Sequence, residues 1–215
     1  LARPTLNDDE RAERRRQLLT AAHALFRATG ELPSVALIAE SAGVAKGSVY
    51  NSFSTKEEIF VALLEDQFSG LLARVIATIA RLPRGATAAA AAFADGYAAA
   101  VTQYPDLLAL AGMTNAVLEK NLPMEAMLHF KTGLAGGLQT AGEVLERRER
   151  KIARGAGADL LLHTWSLTLG LWQALDFPIA MKPRMKRPDL AILDRDYMIE
   201  LRAAVFALWR GALAA

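Results

Sequence analysis

Apolar positions recur along this chain with helical spacing, and the breaks between stripes fall at glycine and proline. Leu18, Ala22, Leu25 and Phe26 form the stripe of a first helix, which Gly30 stops. Asn7 and Glu10, at its start, have capping-box spacing. Val35, Ile38, Ala39 and Ala42 fall at i, i+3, i+4 and i+7, predicting a short second helix that Ser34 can cap and Gly43 ends. A third short helix, from about Ala45 to Ser52, turns Val49 and Phe53 inward. Thr55 and Glu58 form another capping box and open a long helix. Its stripe is Phe60, Leu63, Leu64, Phe68, Leu71, Val75 and Ile79, and Pro83 and Gly85 break it.

Beyond Thr87 the pattern stays helical, with segments expected at roughly 87–104, 106–120, 122–152, 157–176 and 194–213. Residues 177–193 carry three prolines and read as a loop. No run alternates β-branched and polar residues as a strand would. The fold class is all-α, with about nine helices.

Two short helices joined by a glycine turn form a helix-turn-helix signature over about residues 34–53. Lys46, Gly47, Ser48, Tyr50 and Asn51 point outward from its second helix, the face that would touch DNA. Charge changes this picture only in one respect. The chain carries a net +2, and residues 1–60 hold eight basic and eight acidic side chains. DNA affinity must therefore come from where a few charges sit. Arg11 and Arg14 to Arg16 on the first helix suit either a solvated face or a phosphate-contacting arm.

Two later helices carry small residues every four positions: Ser166, Gly170 and Ala174 on one, Ala203, Ala207 and Gly211 on the other. Such stripes let helix backbones approach closely. Either a second copy across a two-fold axis or the chain's own packing would cover them. The longest uncharged apolar run, Leu160 to Leu175, is sixteen residues, short of the ~20 a spanning helix needs. A buried helix is expected there, and no membrane partner. The three histidines, His23, His129 and His163, lack metal-ligand spacing, and no glycine-rich phosphate loop or nucleophile elbow is present. No metal, cofactor or enzymatic activity is expected. The chain has no cysteine, which fits a reducing cytoplasm.

The stretch IAESAGVAKGSVYNSFSTKEEIF, preceded by ALFRATG at the end of the first helix, resembles the tetracycline-repressor (TetR) family of bacterial transcription regulators. The resemblance covers about residues 15–65 and implies a homodimer on a palindromic operator, usually a repressor. It also implies release when a small molecule enters the C-terminal domain. Carried over by position, Tyr50 and Lys56 would hold phosphates, while Lys46, Gly47, Ser48 and Ser52 would approach base edges or backbone. Lys56 also sits at a helix N-terminus, where free N–H groups favour a phosphate. Ala36 and Ala45 depart from the family pattern. Ala45 forgoes a cap worth about 1 kcal/mol.

The expected organisation is a DNA-binding domain over 1–55 and a larger ligand-sensing and dimerisation domain over 56–215. Phe93, Tyr97, Met127, Phe130, Trp165, Leu169 and Trp172 supply apolar walls, and Asn115 and Gln173 polar handles, for a small-molecule pocket. The same side chains would equally serve as core. Such a pocket would favour an apolar or aromatic effector. A regulator without an inducer is the alternative, and an all-α enzyme a distant one.

Overall fold

A computed structural model of the protein describes residues 8–114 and 119–214. Among them are nine α-helices and no strand. In chain order these are α1 (Asp8–Thr29), α2 (Val35–Ser41), α3 (Lys46–Tyr50), α4 (Lys56–Ala80) and α5 (Ala86–Thr102). They continue with α6 (Leu107–Met113), α7 (Met124–Arg148), α8 (Ala156–Leu175) and α9 (Tyr197–Ala214). The segment expected at 106–120 is helical to Met113; its residues 115–118, the arm before α1 and the Asn7 cap lie outside the described residues. Within the proline-bearing loop, Lys182–Lys186 and Pro188–Leu190 form short 3-10 turns, with proline in the first turn where its missing N–H costs nothing.

The chain divides into two compact units, residues 1–67 with 109–131 and residues 68–108 with 132–215. In the first, α1, α2, α3 and the start of α4 close over Leu18, Ala22, Phe26, Ile38, Val49, Phe53 and Phe60, all buried. The Phe26 and Phe60 rings meet at 6.1 Å in a tilted arrangement. This is the stripe the 3.6-residue period marks out, although Leu25 is only half-buried.

The second unit centres on Trp209 of α9, which is fully buried with its ring stacked on Phe93 of α5 at 3.3 Å. Two buried threonines of α8 satisfy the polar atoms brought into this core. Thr164 Oγ1 donates to the Leu160 carbonyl and accepts from Trp209 Nε1 at 2.9 Å. Thr168 Oγ1 donates to the Thr164 carbonyl, so Tyr97 is the donor in their 2.9 Å hydroxyl pair. Tyr197 donates to the Thr168 carbonyl at 3.3 Å. Burial pushes the Tyr97 and Tyr197 phenols far above their ordinary values and keeps both neutral.

Where α7 crosses α8, Gly142 and Gly157 meet backbone to backbone; a Cβ on either would collide with the other helix. Gly155, the N-cap of α8, has φ +88° and no capping side chain. Glu146 of α7 does that work instead, accepting from the Gly155 and Gly157 amides at 2.8 and 3.0 Å.

Candidate nucleic-acid interface

A side-chain cap and a glycine turn bound α2. Ser34 Oγ accepts from the Leu37 amide at 3.3 Å and starts α2. Gly43, at φ +66°, turns the chain between α2 and α3 in a conformation that a side chain would strain. Ala45 is the N-cap of α3 and supplies no capping bond. With five residues and no cap, α3 holds its place through burial of Val49 and of Phe53 just beyond it.

The remaining side chains of α3 face outward. Lys46, Gly47, Tyr50 and Asn51 are exposed, and Ser48 and Ser52 half-exposed. Tyr50 keeps 51% of its surface in solvent, unusual for a large ring whose neighbour Val49 is at 1%. Gly47 has ordinary helical φ, and a Cβ there would meet none of the described residues within 4 Å. The chain's own packing therefore does not call for glycine at this position.

The start of α4 borders this face. Thr55 Oγ1 accepts from the Glu58 amide at 3.2 Å, as the capping box requires, but the Glu58 carboxylate accepts from the Ser54 amide at 2.7 Å rather than from Thr55 itself. A carboxylate therefore already occupies the anion-favouring end of α4, where the Lys56 side chain is half-exposed.

Sequence reasoning missed what holds α3 from behind. Arg15 of α1 lays its guanidinium over the Phe53 ring at 4.3 Å and donates to the Ser52 carbonyl at 3.4 Å. Arg15 thus anchors the chain just beyond α3. Arg16 pairs with Glu13 along α1 at 3.1 Å. Behind Phe53 a cavity of about 260 Å³ includes Arg15, Glu58, Glu65, Glu125 and His129 in its lining. Burial raises the Glu65 carboxyl, against the opposing pull of His129 and Arg15.

This arrangement matches what comparison with known proteins returns. The family model for bacterial regulatory proteins of the tetR family matches residues 18–63. The model for the tetracyclin repressor-like C-terminal domain matches residues 65–215. The chain belongs to the TetR family. A TetR protein of this kind is a DNA-binding transcriptional regulator. A solved structure from Mesorhizobium loti MAFF303099, assigned to the TetR-family transcriptional regulators, shares the fold with a TM-score of 0.58. The likeness covers 95% of this chain and 96% of that one at 18% identity. No curated protein matches in sequence.

The residues expected around an effector lie in several places in this TetR chain. Phe93 is fully buried between Trp209 and Tyr97, whose ring stacks on it at 5.6 Å. Half-buried Trp165 sits edge-on to Phe68 at 5.0 Å, and Leu169 is half-buried. Trp172 lines a cavity of about 440 Å³ with residues from the 177–197 segment, whereas Gln173 is exposed. Half-buried Met127 and buried Phe130 belong to the first unit, and Asn115 lies outside the described residues. Among the described residues no group of three or more acidic or histidine side chains could hold a metal. No helix there is long and apolar enough to cross a membrane.

Proposed function

We propose that this regulator is a cytoplasmic repressor that binds a palindromic operator as a homodimer and is released by a small molecule. The observation carrying the reading is the outward face of α3. Lys46, Gly47, Tyr50 and Asn51 are presented to solvent without a packing reason, with Lys56 beside them. In this reading Tyr50 and Lys56 hold phosphates, and Lys46, Gly47, Ser48 and Ser52 approach bases or backbone. In this reading residues 1–55, within the first compact unit, carry DNA binding, and residues 56–215 carry sensing and dimerisation.

The homodimer is supported by the two small-residue stripes. Ser166, Gly170 and Ala174 of α8 are all exposed, as are Ala203, Ala207 and Gly211 of α9. A Cβ at Gly170 or Gly211 would meet nothing within 4 Å. The opposite side of each helix is already spent on Thr164, Thr168 and Trp209. A second copy is the partner such stripes suit. An apolar or aromatic effector at Phe93 and Tyr97 would have to open a core that these rings now fill.

DNA titrations at several salt concentrations test the interface. Lys56→Ala should weaken binding to every duplex and make the log–log salt slope shallower by about 0.9. Tyr50→Ala should weaken binding as uniformly but leave the slope unchanged. Wild-type affinity in both variants would remove the assignment.

A further inference from the structure

We propose that the groove between α4 and α5 in the second unit binds a small organic oxyanion, a carboxylate or phosphate head on a short aliphatic body. The cavity there is about 390 Å³, within the range of small-ligand sites. None of the side chains expected around an effector lines it, and its occupancy can be read whether or not the ligand releases DNA.

Its floor is made of Ala77, Ala92, Ala99 and Ala100, whose methyl groups leave room for a hydrocarbon chain. Beside them a Cβ on Gly96 would come within 2.6 Å of Thr78 Cγ2, so the two helices are in contact there and the alanines open the groove. The charged lining is of one sign. Arg74 and Arg81 line the groove, and none of its described lining residues is acidic. The two arginines are seven residues apart on α4, about 10 Å along the helix. Gln103 adds a carboxamide.

Arg74 is exposed and has an aromatic neighbour. Its guanidinium lies over the Tyr104 ring at 6.0 Å. That ring fits because α4 carries Gly70, where a Cβ would collide with the Tyr104 hydroxyl. Arg81 has an additional cause, since a cation suits the C-terminal end of α4. Arg74 is in mid-helix and has no such cause. Arg148 donates to the carbonyl of Leu82, another lining residue, and adds a further guanidinium near the Arg81 end. A guanidinium grips a planar or tetrahedral oxyanion through paired N–H groups, which an ammonium cannot do.

The test is calorimetric titration of the full chain with hexanoate, hexyl phosphate and hexylamine. Saturable binding of hexanoate or hexyl phosphate, and none of hexylamine, is expected; the tighter of the two anions identifies the head group. Arg74→Gln should weaken that binding about tenfold or more. Ala99→Leu, which fills the exposed floor, should do the same, with both variants melting like the wild type. Absence of saturable heat with either anion at about 10 mM would overturn the proposal. So would equal binding of hexylamine, or affinities unchanged in both variants.

Discussion

At the α7–α8 crossing, Gly142 and Gly157 each leave space that the other helix occupies. On the outward faces of α3, α8 and α9, Gly47, Gly170 and Gly211 leave space that none of the described residues occupies. A glycine inside a helix costs roughly 0.5–1 kcal/mol relative to alanine. At the crossing, backbone contact offsets that cost within one chain. On the outward faces nothing does, and a close approach by another molecule is the use the missing Cβ can serve. The first pair belongs to the fold; in the proposed reading the second group serves recognition.

The largest effect should come from breaking the crossing. Gly157→Val pushes two branches into the Gly142 backbone and should cost about 3 kcal/mol. Thermal melting should fall by about 10 °C for a chain of this size. Gly170→Leu should instead spare the subunit and weaken self-association by about 2 kcal/mol or more. Sedimentation would then show monomers with unchanged helicity; an intact dimer would return α8's stripe to ordinary surface. Removing the Glu146 carboxylate tests the crossing more gently, since Glu146→Ala leaves the α8 amides uncapped and should cost about 1 kcal/mol in a denaturant melt. The smallest change in stability is expected at Gly47→Ala, a gain of about 0.5 kcal/mol. The same variant should lose DNA affinity, a pairing of signs that a merely structural glycine would not give.

Much of this was readable from spacing. The stripes of α1, α2 and α4, the Ser34 cap and the Gly43 turn all follow from local chemistry, and the structure has them where the period puts them, except that Leu25 and Ala42 are half-buried. The outward face of α3 was legible for the same reason: once Val49 and Phe53 are buried, the other positions have only one side left. Contacts between one helix and another part of the chain were not legible. Arg15 on Phe53 and Glu146 on the α8 amides depend on how helices cross, which no periodicity encodes. The effector residues show the same limit from another side. Periodicity marks Phe93 and Tyr97 as inward, but whether an inward ring lines a void or fills it depends on Trp209, more than a hundred residues away.

Selection of bound duplexes from a random-sequence pool by the wild-type chain tests the central claim most directly, because it reads the α3 face and the two-fold pairing together. The account predicts enrichment of a palindrome whose half-site centres lie about 34–36 Å apart, one turn of DNA. Enrichment of a single unpaired half-site, or of no sequence at all, would contradict it.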